Sequence, residues 1–185
     1  IQRDAALVAK HKHVLIKGWC VRFYNLFVKY KAEIIDLFYF DAPIIEKAKS
    51  FMGEKEEDEI RLGVHIRRGD YKTWHNGKYY FEDDTYQDYI LQFRALFPKK
   101  KLTVYICSND PSLDKESYRE NLKDIQVCFP QGGQEDDLCL LSECDYLIGA
   151  PSTFSLVAAM YHDLPLYWIE QKNGSLSLSS FDKFN

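Results

Sequence analysis

The sequence lacks most of the features that assign a chain quickly. No apolar run in its 185 residues approaches the ~18 needed to cross a bilayer, and no charged-then-apolar start marks a secretion signal. Neither G-x-x-x-x-G-K-[ST] nor G-x-G-x-x-G occurs, which sets aside P-loop nucleotide hydrolases and standard dinucleotide enzymes. No two aspartates are spaced D-x-D, so that acidic metal clamp is missing too. The five cysteines (Cys20, Cys107, Cys128, Cys139, Cys144) include no C-x-x-C pair, and four lie in or beside apolar stretches. They read as reduced core residues of a cytoplasmic protein. His11 and His13 have no third ligand nearby and read as surface residues, so no metal site is expected.

Charge of one sign is also scarce. Lys and Arg (24) against Asp and Glu (28) leave −4, and the segment Glu54 to Glu59 (EKEEDE) alone carries five acids and one lysine. The remainder is neutral, so no broad footprint for nucleic acid is expected, while a local cationic pocket and peripheral membrane association stay open. The acidic run reads as a solvated loop. With 46% apolar and 28% charged residues, the composition is that of a packed globular domain.

Phe23, Leu26, Phe27, Tyr30, Ile34, Leu37 and Phe38 follow i, i+3, i+4, i+7 spacing, which predicts one long amphipathic helix whose aromatic stripe is core. A second helix is expected from Pro43, turning Ile44, Ile45, Ala48, Phe51 and Met52 inward. From Ile60 onward the pattern alternates. Strands are expected at Ile60 to Ile66, Leu102 to Cys107, Ile125 to Phe129, Tyr146 to Gly149 and Leu166 to Ile169. Helices are expected at Asp84 to Phe97, Ser112 to Asn121, Gln134 to Cys144 and Ser152 to Tyr161. This is an α/β protein with a Rossmann-like parallel sheet flanked by helices. A strand at Val14 to Trp19 is expected to add to an edge. Three regions result: a mainly helical segment over 1–59, an α/β nucleotide-binding domain over 60–172, and a loosely ordered Ser-rich tail over 173–185.

Ligands of open parallel sheets bind beyond the carboxyl ends of the strands, and three strands here end in polar text. The first runs His65-Ile66-Arg67-Arg68-Gly69-Asp70-Tyr71. Guanidinium forks at a strand end suit phosphate oxygens, although an arginine paired with Asp70 for structural reasons explains the segment equally well. The second, Ser108-Asn109-Asp110-Pro111, has groups able to read a base or ribose and is also a common turn. The third, Gly149-Ala150-Pro151-Ser152-Thr153-Phe154-Ser155, leads into an apolar helix, where free N–H groups and the helix dipole favour an anion; Ser152 serves equally as an ordinary N-cap. Together the three describe a nucleotide diphosphate pocket in which arginine and helix-end dipoles stand in for a divalent cation.

These motifs, with Asp137-Leu138-Cys139-Leu140-Leu141-Ser142-Glu143-Cys144-Asp145 ahead of the third, resemble those of the α-1,2-fucosyltransferases of glycosyltransferase family eleven over roughly residues 60 to 169. The resemblance implies a GT-B-like fold and an inverting, metal-independent transfer of L-fucose from GDP-fucose to a glycan hydroxyl, with no cofactor beyond that donor. It implies that Arg67 grips the diphosphate, that His65, Asn109 and Asp110 lie near the guanosine, and that Ser152, Thr153 and Phe154 hold phosphate. Arg68 joins the binding set, Asp145 is either base-reading or structural, and Asp70 is the candidate base or an orienting partner of an arginine. The family's G-G-L-G-N-Q loop has no counterpart here, which points to a missing N-terminal part or a degenerate relative, and Leu156-Val157 replaces a tryptophan-rich continuation. A non-catalytic nucleotide-binding module is the alternative.

Overall fold

The computed structural model describes residues 9–13 and 24–183. Five strands form one fully parallel sheet: β1 (Glu59–Ile66), β2 (Lys101–Ser108), β3 (Gln126–Cys128), β4 (Tyr146–Gly149) and β5 (Leu166–Trp168), in the order β3-β2-β1-β4-β5. The chain proceeds outward from β1 to β3, then crosses to the other side of β1 and continues through β4 to β5. Its topological switch point therefore lies between β1 and β4, where a ligand crevice is expected outside the carboxyl ends.

Burial on both faces explains why β1 reads as a nearly unbroken apolar run. Leu62, Val64 and Ile66 meet one helical layer, in which α4 (Asp83–Leu96) contributes Tyr86, Tyr89, Ile90 and Phe93, and α5 (Lys115–Asn121) contributes Tyr118. The opposite face packs α3 (Ala42–Met52), α6 (Gln134–Ser142) and α7 (Thr153–Tyr161) through Ala48, Cys139, Leu140, Leu141, Ala158 and Ala159. Cys107 and Cys144 are buried in the same layer and Cys128 half-buried, all as free thiols; Cys20 and the expected strand at 14–19 lie outside the described residues.

Four expectations fail, each because tertiary packing, present or missing, decides over local pattern. The single long helix is two short ones, α1 (Tyr24–Lys29) and α2 (Lys31–Leu37), parted at Tyr30. Their stripe is not core: Leu26, Tyr30, Leu37 and Phe38 are exposed, and so is Phe51 on α3. Without burial an apolar periodicity does little to hold a long helix straight. This region meets the body through the Lys31–Asp163 ion pair, the Phe40–Tyr161 ring contact and a hydrogen bond from the Tyr161 hydroxyl to the Phe38 carbonyl. The acidic run is only partly a solvated loop, because Glu59 begins β1, is buried, and accepts from Thr103 Oγ1 and Arg61 Nε.

The C-terminal stretch is likewise packed. Asp182 and Leu166 exchange both backbone hydrogen bonds (2.8 and 3.0 Å), Leu176 is buried, and the Phe181 ring lies against Phe93, Tyr146 and Tyr167.

Candidate functional site

The carboxyl ends of β2, β1 and β4 stand side by side, with His65 in register with Cys107 on one side and Gly149 on the other. A Cβ on Gly149 would come within 2.7 Å of the His65 carbonyl oxygen, so only glycine lets the strands approach so closely here. Beyond them, Gly69 at φ +64 turns the chain sharply after Arg67 and Arg68.

The two arginines take opposite parts. Arg68 is buried, and every arm of its guanidinium is engaged: Nε donates to the Phe81 carbonyl (3.2 Å), Nη1 to Asp110 (3.1 Å) and Nη2 to Asp83 at the start of α4. Burial alone would lower its pKa, but its hydrogen bond to Asp110 and the charge and hydrogen bond of Asp83, to which it also donates, hold it above the ordinary value. Asn109 clamps the same turn, accepting from the Arg68 backbone N–H (2.7 Å) and donating to its carbonyl (3.3 Å). The second oxygen of Asp110 accepts from Ser112 N–H and hydroxyl (2.9 and 2.6 Å). Arg68, Asn109 and Asp110 brace one another and tie the ends of β1 and β2 to α4, with Asn109 itself exposed.

Arg67 stays accessible. Its Nη2 pairs with Asp70 at 2.9 Å, and its side chain is 32% exposed. The guanidinium carbon lies 5.7 Å from the centre of the Tyr71 ring, and the Tyr71 hydroxyl donates to the Pro151 carbonyl in the turn after β4. Across the same gap, the His65 ring packs on Phe154 at 4.8 Å. Arg67 and the N-terminus of α7 thus share one crevice, at the switch point. There Ser152 caps the helix by accepting from the Phe154 N–H (3.2 Å). The first N–H groups of a helix have no intrahelical acceptor; with Phe154 capped and Ser155 buried, that of the exposed Thr153 is the one open to an anion.

His65 is buried, and its Nδ1 has no partner. Burial, then the charge of Arg67, pushes its pKa down to about 3, so the ring is neutral. Asp137 on α6, quoted above only as part of a motif, sits beside Cys107, and burial pushes its carboxyl up to about 6. Neither its role nor that of Tyr71 was read from the sequence. A half-buried carboxylate facing apolar strand ends was the available signal.

Asp145 does not belong to this site. It precedes β4, where its carboxylate accepts from the Arg61 backbone N–H (2.8 Å) and from Lys55 Nζ. Arg61 is six residues before Arg67, roughly 20 Å away at ~3.3 Å per strand residue. Asp145 therefore sits at the amino end of β1, where its hydrogen-bond partners are structural. A separate hollow of about 310 Å³ along β5, lined by Leu156, Trp168, Glu170 and Asp182 among others, includes none of the crevice residues. Among the described residues, no helix is long and apolar enough to cross a membrane, and no group of three His, Cys, Asp or Glu is placed to hold a metal.

The sequence model described as "Glycosyl transferase family 11" matches residues 6–163. The chain belongs to glycosyl transferase family 11. Similar solved structures include POFUT1 in complex with GDP (TM-score 0.55, 16% identity, covering 70% of this chain and 47% of that one). POFUT1 in complex with GDP-fucose is a second (TM-score 0.52, 16% identity, 68% and 44%). At such identity these likenesses carry the fold, and this family 11 chain spans less than half the length of either. No curated protein matches it.

Proposed function

We propose that this chain forms the donor-binding part of a fucosyltransferase that moves L-fucose from GDP-fucose to a glycan hydroxyl with inversion, forming an α-1,2 linkage without a metal. The observation that carries the proposal is the convergence of Arg67 and the N-terminus of α7 on one crevice, tied together by the Tyr71 hydroxyl on the Pro151 carbonyl. Family membership supports the transfer reaction, and the GDP-fucose bound by POFUT1, a protein of similar fold, supports the donor.

As the glycosidic bond to fucose stretches, negative charge builds on the departing diphosphate. Arg67 and the N–H of Thr153 at the start of α7 are prepositioned for that charge and stabilise it more than they do the ground state. We assign Asp70 to orienting Arg67 ahead of accepting a proton, because its Oδ1 stands 2.9 Å from Arg67 Nη2. His65, neutral and stacked on Phe154, braces the turn that carries these donors. Arg68 and Asp110 shape the floor, and the exposed Asn109 stands at its rim, available to the nucleotide.

Calorimetry with GDP in the presence of EDTA tests the reading. Binding is expected to survive the chelator and to weaken about 10- to 100-fold in Arg67→Ala, the loss of one charge-assisted contact worth ~1.5–3 kcal/mol. Equal affinity in the variant removes Arg67 from the site.

A further inference from the structure

The segment between Arg68 and α4 carries an aromatic group that the donor site does not use. Tyr71, Trp74, His75 and Tyr79 form a continuous stack: Tyr71 to Trp74 at 4.7 Å, Trp74 to Tyr79 at 5.6 Å, and His75 edge-on to Trp74 at 4.4 Å. At its centre Trp74 is 42% exposed, although the rings around it could have covered it. The backbone holds it there by an unusual route, since His75 (φ 48), Asn76 (φ 58) and Gly77 (φ 75) are all left-handed. Side chains other than glycine adopt that conformation uncommonly, and such residues persist where the surrounding structure over-determines them, clustering at active sites, ligand clamps and switch regions. The stack is continuous with the proposed catalytic group: Tyr71 separates Trp74 from Arg67, and the exposed Asp70 lies in the same turn.

We infer that Trp74 is the platform on which a pyranose ring of the acceptor lies during transfer; this deepens the reading above and rests on it. One face of a pyranose is a patch of slightly positive C–H groups, and the face of an indole carries the negative side of its quadrupole, so the two stack. Hydroxyls at the rim of the sugar then need polar partners nearby, and Asp70 and His75 supply a carboxylate and an imidazole. Continuity with Arg67 argues for the acceptor as occupant. A sugar seated on Trp74 is one ring, that of Tyr71, away from the guanidinium that holds the donor's diphosphate.

The test follows the Trp74 indole N–H in the ¹⁵N-labelled full chain, its signal assigned with Trp74→Phe. Methyl β-D-galactopyranoside and methyl α-D-mannopyranoside are the probes, and glycerol, a polyol without a ring face, is the control. The signal is expected to move with at least one pyranoside at millimolar concentration, in Arg67→Ala as in the parent, and not with glycerol. A signal fixed under both sugars, or moved equally by glycerol, overturns the inference; one that follows protein concentration instead assigns the face to a second copy and also overturns it. GDP calorimetry on Trp74→Ala separates the two readings: unchanged GDP affinity is expected, whereas absence of GDP binding in the parent chain sinks the donor reading whatever Trp74 does. In a transfer assay, Trp74→Ala is expected to raise the acceptor KM at least 10-fold and Trp74→Phe to restore most of it, with the donor KM constant. An unchanged acceptor KM rejects the platform.

Discussion

The two ends of β1 present the same chemistry to opposite fates. Arg61 lies near the start of β1 and Arg67 just past its end, and each has a carboxylate partner close by. At the amino end, Arg61 is 7% exposed; it donates to Glu59 and to the Met52 and Gly53 carbonyls, while Asp145 takes its backbone N–H. At the carboxyl end, Arg67 has one carboxylate and one ring face, and solvent on the remaining side. A buried guanidinium held by several fixed acceptors is an architectural rivet; an accessible one with donors facing solvent is available to an anion. Arg68, the neighbour of Arg67, belongs with Arg61 by this measure.

Breaking a rivet should produce the largest effect. Arg68→Ala leaves Asp83 and Asp110 facing each other across a buried gap, and removing one partner of a buried ion network costs about 3–5 kcal/mol. Urea unfolding should show that loss as a lowered midpoint with the slope preserved. A loss below about 1 kcal/mol would place Arg68 with Arg67 as a ligand-facing group. Arg67→Ala should do the reverse, changing stability by no more than about 0.5 kcal/mol, as an accessible side chain does, while GDP affinity drops as stated above. The comparison is sharpened by measuring both quantities on both variants, since each arginine should move only one of them.

Asp145→Ala should fall between these. It removes the acceptor of the Arg61 N–H and of Lys55 at a half-exposed position, a loss of about 1–2 kcal/mol. GDP affinity should not change, because the whole length of β1 separates Asp145 from the crevice. A variant with normal stability and weakened GDP binding would reverse the assignment of Asp145.

Much of this arrangement was legible in the sequence, and the exceptions share a cause. Strands showed as short apolar runs because the sheet is buried on both faces, and α4 showed through the spacing of Tyr86, Tyr89, Ile90 and Phe93. The carboxyl edge of the sheet was legible as the place to look, whereas the strand order that makes the ends of β1 and β4 neighbours came only with the structure. Periodicity could not say that Leu37 and Phe38 remain uncovered, because a stripe states what wants burial and not what arrives to bury it. The serines of the C-terminal stretch concealed Leu176 and Phe181, two anchors that hold it to the core. Arg67 and Arg68 are alike as letters, and the distinction depends on Asp83 and Asp110, 15 and 42 positions away in sequence. Asp145 was separable on position alone: a residue that precedes a strand lies at the opposite edge from one that follows a parallel neighbour.

The smallest expected effect lies in how the crevice responds to acid. His65 binds its proton far less readily in the fold, where burial and then Arg67 hold its pKa at about 3, than at its ordinary value of 6.5. Between those values the unfolded chain takes up the proton and the folded one does not, so His65 contributes stability that is complete above 6.5 and is lost as pH falls toward 3. Asp137 acts with the opposite sign: its carboxyl, pushed from 3.8 up to about 6 by burial, favours the fold at low pH and loses that contribution as pH rises through 6. The two partly cancel between roughly pH 4 and 6, which makes the wild-type profile a poor witness. His65→Phe keeps a ring against Phe154 and removes only the basic term. Its stability, measured by urea unfolding at several pH values, should decline less on acidification than that of the parent, by up to about 1 kcal/mol per pH unit. Parallel profiles for the two proteins would mean that the His65 ring is reached by water, and that the crevice behind Arg67 is open deeper than the packing of His65 on Phe154 implies.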